Sequence, residues 1–94
     1  MNQGAILIRA TGKMQGVFPA NGSDFTLEEL QGFVGGYIQV VSYTENAIMV
    51  VNEDGKGQLP MNIKATIIAK ANGALHFNDY IAGDALLCPS EMVK

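Results

Sequence analysis

Three runs of the chain have the hydrophobic pattern of β-strands. The segment at 4–10 is almost continuously apolar, and the segments at 37–43 and 47–51 are rich in aromatic and β-branched residues. A short polar loop at 44–46 separates the last two, which predicts a β-hairpin. Because both faces of these hairpin strands carry apolar groups, we expect central strands of a sheet that is covered on both sides.

The segment that precedes the hairpin has the pattern of a short helix. Thr26 and Glu29 have the spacing of a capping box, in which the hydroxyl and the carboxylate each bind a backbone N–H at the helix start. Gly35 can adopt the left-handed conformation that ends a helix. One apolar stripe runs between these ends and consists of Leu27, Leu30, Phe33 and Val34.

The remaining elements are less clearly marked. The run at 14–18 predicts a weak strand, because it contains Gly16 and is followed by Pro19. The run at 80–88 predicts a strand interrupted at Gly83. The segment at 62–73 suits a strand through its β-branched residues, or a helix capped by Asn62, ended by Gly73 and with an apolar face of Ile63, Ile67, Ile68 and Ala71. We favour the helix.

These elements predict an α+β fold in one domain over residues 1–94. The expected architecture is a small mixed or antiparallel sheet of four to five strands, with one or two short helices packed on it. The composition agrees with a packed globule, since 48% of the residues are hydrophobic and 16% are charged. A chain of 94 residues buries a modest core, so association with a second copy is one way to bury more.

Charge and cysteine content narrow the function classes. The net charge of −3 and the pI near 4.8, with basic residues scattered along the chain, argue against a nucleic-acid binder. Cys88 is the sole cysteine, so neither an internal disulfide nor a cysteine-based metal cage is expected. We find no signal-peptide pattern and no apolar run long enough for a membrane helix. We therefore expect a cytoplasmic protein.

Few residues offer catalytic or metal-binding chemistry. His76 is the sole histidine, and Cys88 with His76 is the one available nucleophile–base pair. A cysteine at the end of an apolar run is more typical of a buried, inert thiol. The GKG at 55–57 could wrap a phosphate, although a plain turn explains it better. Turn chemistry also explains the acids Glu53, Asp54, Asp79 and Asp84 better than a cation site. We predict no catalytic site, no metal and no cofactor.

An ordered set of short motifs resembles a family of small proteins encoded by phages, plasmids and bacteria, the domain-of-unknown-function family 3846. The matching segments are the leucine- and glutamine-containing helix at 27–31, V-G-G-x-I at 34–38, N-E-x-G at 52–55, L-P-x-N at 59–62 and I-x-G at 81–83. The chain departs from the pattern in the insert-like segment at 70–80. The resemblance implies an accessory protein of a mobile element and carries no catalytic residue with it.

Two function classes remain open. The first is a non-catalytic binder of a small, nucleotide-like signal, by which a phage could antagonise host defence. It would use aromatic faces, amides and cations around the polar loop at 52–62, and two copies could enclose a ligand together. Its candidate residues are Asn52, Asn62, Lys56, Tyr37, Tyr43 and Arg9.

The alternative is a protein-interaction module that inhibits or redirects a host protein. The acidic residues near the first helix and the hairpin loop would bind a basic partner. These residues are Asp24, Glu28, Glu29 and Glu45. Helix-dipole compensation and a solvated surface are the simpler explanation of that cluster.

Overall fold

The computed structural model describes residues 4–93, which form a five-stranded sheet and two α-helices. The elements in chain order are β1 (Ala5–Ile8), β2 (Met14–Val17), α1 (Leu27–Val34), β3 (Ile38–Thr44), β4 (Ala47–Asn52), α2 (Ile63–Ala71) and β5 (Ala85–Pro89), followed by a 3₁₀ turn (Ser90–Met92). The predicted α+β class is confirmed. The weak strand at 14–18 and the helix at 62–73 are confirmed as β2 and α2.

The sheet is antiparallel throughout, with the strand order β2-β1-β5-β4-β3. The last strand, β5, lies at the centre, where Leu86 pairs with Leu7 of β1 and Val50 of β4. The N-terminal hairpin and the β3–β4 hairpin are therefore joined only when β5 inserts between them.

The predicted strand at 80–88 is confirmed only from Ala85 onward. Gly83, with φ of 82°, interrupts the chain as expected, but the residues before it form only the single bridge of Ala82 with Met61.

The two helices cover opposite faces of the sheet. On the α1 face, a core forms around Leu7, Leu30, Val34, Val50 and Leu86, with Phe25 edge-on to Phe33. On the α2 face, the core consists of Ile8, Met49, Val51, Ala65, Ala69, Ile81 and Ala85. Burial of these side chains stabilises the fold by about 25 cal/mol for each Å² of apolar surface removed from water.

The start and end of α1 agree with the sequence. Thr26 Oγ1 accepts a hydrogen bond from the Glu29 N–H at 3.1 Å, and Glu29 Oε1 accepts from the Thr26 N–H at 2.8 Å. Glu29 Oε2 also accepts from the Ala20 N–H. These backbone hydrogen bonds, chiefly the one from Thr26, hold the pKa of Glu29 below its ordinary value. Gly35 adopts the left-handed conformation and ends the helix.

The prediction that β3 is a central strand is wrong. It lies at the edge of the sheet, and the exposed fractions of Tyr37 and Val40 are 68% and 47%. Apolar residues on both faces do not distinguish an internal strand from an edge strand whose side chains remain accessible. Its neighbour β4 is internal, as expected.

The predicted apolar face of α2 is wrong at three of its four positions, since only Ile68 packs against the core on this face. Ile63 and Ile67 are each 62% exposed and Ala71 is exposed, whereas Ala65, Thr66 and Ala69 are buried. Hydrogen bonds set this rotation of the helix. Thr66 Oγ1 donates to the Asn62 carbonyl at 2.7 Å and accepts from the Ile81 N–H at 2.9 Å. The bond to Ile81, with those from Asn62 to Ile8 and Gly83, holds the 62–66–69 side of the helix inward, whereas the bond to the Asn62 carbonyl lies within the helix.

Candidate functional site

A small cleft opens on the α2 face, between the β3–β4 strands and the segment at 75–82. Its volume is about 180 Å³. Its floor contains the buried residues Val51, Ile81 and Ala82, and its walls carry the polar residues Gln39, Glu53, Lys56, Asp79 and Tyr80. We call it the Lys56–Tyr80 cleft. An apolar floor with a few polar groups at the rim is typical of small-molecule sites.

Strand register and one tight turn position the walls. Gln39 pairs with Val51 and Val41 with Met49, which places Gln39 and Val41 on the α2 face. Beyond β4, the Gly55 carbonyl accepts from the N–H groups of Gln58 and Leu59 at 3.0 and 2.8 Å. This turn holds Lys56 against the segment that contains Asp79 and Tyr80.

Lys56 is the cation of the cleft. Its Nζ donates to Asp79 Oδ1 and lies 5.5 Å from the centre of the Tyr80 ring. The hydrogen bond from Lys56, followed by the one from the Tyr80 N–H, holds the pKa of Asp79 below its ordinary value. Both charged side chains are substantially exposed, at 55% and 31%. Exposed ion pairs contribute about 0–1 kcal/mol, so an anionic ligand could displace Asp79 from Lys56 at little cost.

Asn52 borders the cleft, but its amide already binds the protein. Its Nδ2 donates to the Val34 carbonyl at 3.0 Å, and its Oδ1 accepts from the Asp54 N–H at 2.8 Å. A Cβ at Gly36 would lie 2.9 Å from Asn52 Nδ2. Asn52 therefore joins the end of α1 to the polar loop, the local role that the sequence left open beside ligand binding.

Asn62 is completely buried and holds three parts of the fold together. Its Nδ2 donates to the carbonyls of Ile8 and Gly83 at 2.8 and 2.9 Å, and its Oδ1 accepts from the Ala65 N–H at 3.0 Å. The predicted helix cap is confirmed. Both amide atoms are bound inside the chain, so Asn62 anchors the fold and does not line the cleft.

The other three predicted ligand residues lie away from the cleft. Arg9 pairs with Asp84 at 3.1 Å, beyond the end of β1. The Tyr43 hydroxyl accepts from Asn72 Nδ2 at 2.7 Å, and Tyr37 lies at a separate shallow concavity beside Gly35 and Leu59. Of the six predicted residues, the structure brings only Lys56 and Asn52 to the cleft.

Sequence reasoning missed Gln39 and Tyr80 as site residues. Tyr80 stands at the end of the insert-like segment at 70–80, and no local pattern connects it with Lys56. The alternation along β3 places Gln39 on one face, but it does not say which face carries a cleft.

The two potential catalytic partners lie apart. The Cys88 side chain belongs to the core on the α1 face, and burial raises the pKa of its thiol to about 11. His76 is exposed and follows Leu75, which packs on the α2 face. Among residues 4–93, no group of three or more histidine, cysteine, aspartate or glutamate side chains has the arrangement of a metal site. In the same range, neither α-helix has the length and apolar character of a membrane span.

Comparison with known proteins places the chain in a family. The family model described as a domain of unknown function (DUF3846) matches residues 4–92, nearly the whole chain. The chain belongs to this family. The resemblance inferred from the ordered motifs at 27–83 is thereby confirmed, and the match extends over β1 and β2, where the sequence analysis found no motif. Neither the curated proteins nor the solved structures gave a match.

Proposed function

We propose that this DUF3846 protein is a non-catalytic, cytoplasmic accessory protein of a phage or other mobile element, and that it binds a small nucleotide-like ligand in the Lys56–Tyr80 cleft. The observation that carries the proposal is a lysine amino group held over a tyrosine ring beside an apolar floor. Sequestration of a host signal nucleotide would make the protein an antagonist of host defence.

Each part of such a ligand has a matching group in the cleft. A phosphate would replace the Asp79 carboxylate on Lys56, a base would stack on the Tyr80 ring, and the Gln39 amide would bind a polar edge of the base. The volume of about 180 Å³ is below the range of about 300–1,000 Å³ that is usual for small-molecule sites. One copy of the chain would therefore enclose only part of a nucleotide.

A thermal-shift screen against cyclic dinucleotides, cyclic ADP-ribose isomers and common nucleotides tests the proposal. A ligand at a hundred times its Kd stabilises the folded state by about 2.7 kcal/mol, which for a domain of this size raises the Tm by on the order of 10 °C. We expect Lys56→Gln and Tyr80→Leu to abolish most of this shift.

Matched controls lie outside the cleft. Lys64→Gln removes a lysine from the exposed side of α2, and Phe18→Leu removes an exposed aromatic ring that follows β2. Both variants should keep the full shift. A screen without any shift, or a shift that survives both cleft substitutions, would refute ligand binding at this cleft.

The structure also favours the alternative, a protein-interaction module, through one observation. The Ser90 N–H binds the Asn46 carbonyl at 3.0 Å, and the Phe25 N–H binds the Met92 carbonyl at 2.8 Å. These bonds bring the segments 24–29, 45–46 and 90–92 to one end of the sheet. Neither lysine nor arginine occurs in these segments, and their acids are Asp24, Glu28, Glu29, Glu45 and Glu91. We call this the acidic end.

Charge reversal at the acidic end tests this second candidate. Glu28→Lys with Glu45→Lys should abolish binding of a host protein that wild type captures at low salt and releases as the salt rises. Glu29 is left unchanged because it caps α1. The matched control, Glu53→Lys with Asp54→Lys, makes the same charge change at the opposite end of β4 and should bind normally. Equal loss in both double variants would show that net charge, rather than the acidic end, governs binding.

A further inference from the structure

The edge strand β3 presents unpaired backbone groups to solvent. The Glu53 N–H donates to the Tyr37 carbonyl at 2.8 Å, and Ile38 pairs with Asn52. The hydrogen-bonding direction alternates from residue to residue along an antiparallel pair. The backbone groups of Tyr37, Gln39 and Val41 therefore face β4. The N–H and C=O groups of Ile38, Val40 and Ser42 point outward to solvent. Within residues 4–93, no strand pairs with this edge.

Between Tyr37 and Ser42, this edge lacks the features by which proteins usually protect an edge strand. The stretch YIQVVSYT at 37–44 contains no charge, no proline and no glycine. The opposite edge, β2, has only four residues, contains Gly16, and is flanked by Lys13 and Pro19. The register shift in β3 occurs between Ser42 and Thr44, so it affects only the hairpin end.

We propose that β3 pairs in an antiparallel manner with β3 of a second copy of this chain, about a twofold axis at Val40. This register uses all three outward-facing residues and forms about six backbone hydrogen bonds. It places Val40 opposite Val40 and Ile38 opposite Ser42. It also places the exposed Tyr37 opposite Tyr43 of the second copy. The strand is therefore complementary to itself without any like-charge contact.

Pairing at β3 also joins the two Lys56–Tyr80 clefts. A twofold axis perpendicular to the sheet puts both α2 faces on the same side, and Gln39 of one copy then lies beside Val41 of the other. Both residues line the cleft. Two clefts of about 180 Å³ become adjacent and together reach the size of a usual small-molecule site. This joining rests on the proposed function, whereas the pairing of the strands does not.

Sedimentation of the ligand-free protein over about 5–500 µM tests the pairing, because a strand-edge interface is small and its Kd should be about micromolar. We expect a monomer–dimer equilibrium for wild type. Val40→Lys places two ammonium groups opposite each other at the axis and should give a monomer over the whole range. Met14→Lys replaces an equally exposed apolar residue on β2 and should leave the dimer intact.

Disulfide formation tests the register itself. Residues directly opposite in such a pair have Cα atoms about 5.5 Å apart, which suits a disulfide. Val40→Cys should therefore form a covalent dimer under mild oxidation, whereas Met14→Cys and Ile38→Cys should not. Cys88 is buried, and its raised pKa keeps it out of this reaction. A wild type that stays monomeric, a dimer that persists in Val40→Lys, or equal cross-linking of all three cysteine variants would overturn the proposal.

The pairing and the proposed function fail in distinguishable ways. If the protein is a dimer and no nucleotide raises its Tm, nucleotide binding is refuted but the strand pairing stands. If a nucleotide raises the Tm of a monomeric protein, with one ligand per chain, the strand pairing is refuted but nucleotide binding stands. If both hold, the ligand should bind once per two chains, and Val40→Lys should weaken it by about tenfold or more.

Discussion

Replacing Asn62 with alanine lowers the free energy of unfolding by about 3–5 kcal/mol, the largest effect expected from any single polar substitution in this chain. The change removes the side-chain partner of three buried groups, namely the Ile8 carbonyl, the Gly83 carbonyl and the Ala65 N–H. Each such group costs about 1–3 kcal/mol, and the last is also a helix cap. The Tm should fall by on the order of 15–30 °C.

Urea or thermal denaturation measures this effect, and Asn72→Ala is the matched control. Asn72 lies at the other end of α2, is exposed, and donates to the Tyr43 hydroxyl at 2.7 Å. Its loss should cost about 1 kcal/mol or less, because water can replace the bond. If Asn62→Ala lowered the free energy of unfolding no more than Asn72→Ala does, the three hydrogen bonds of the Asn62 side chain would not stabilise the fold as their burial implies.

Replacing Gly55 with alanine should destabilise the fold by about 1–3 kcal/mol and also displace Lys56 from the cleft. A Cβ at Gly55 would lie 2.7 Å from the Ala82 carbonyl oxygen and 3.4 Å from that of Asn52. Both are backbone atoms, so neither can rotate away as a side chain could. The polar loop must therefore move as a unit, and Lys56 moves with it.

Gly32→Ala is a control variant that should be more stable than the wild type, whereas Gly55→Ala should be less stable. Gly32 lies in α1, and a Cβ there would have no neighbour within 4 Å. Alanine is favoured over glycine inside a helix, so this variant should gain about 0.5–1 kcal/mol. Denaturation midpoints of the two variants give the comparison. Equal stability of Gly55→Ala and Gly32→Ala would show that the loop adapts around the new methyl group.

The local elements of this protein can be predicted from its sequence because their signals are local. The Thr26–Glu29 capping box, the end of α1 at Gly35, the hairpin at 44–46 and the Asn62 cap each depend on residues a few positions apart. The contacts that define them join residues a few positions apart, so they do not depend on which distant segments meet. The ordered motifs likewise predicted the family that the comparison confirmed.

The candidate site is predictable only in part, because its walls come from distant segments. Lys56 was proposed from its place in a glycine-flanked turn, but Tyr80 and Gln39 reach it only when the sheet has formed. Arg9, Tyr37 and Tyr43 are candidates by their chemistry alone, and the fold disperses them to other surfaces.

By itself, the sequence determined the start and end of α1, the turn between β3 and β4 and the Asn62 cap, since capping and turn formation act over a few residues. Only the tertiary structure decided that β5 occupies the centre, that β3 is an edge strand, and that α2 buries Ala65 and Ala69 rather than Ile63 and Ile67. Those choices depend on contacts between segments far apart in the chain, such as the pairing of β5 with β1 and β4 and the bonds from Asn62 to Ile8 and Gly83. Such contacts produce no periodic pattern of residues along the sequence.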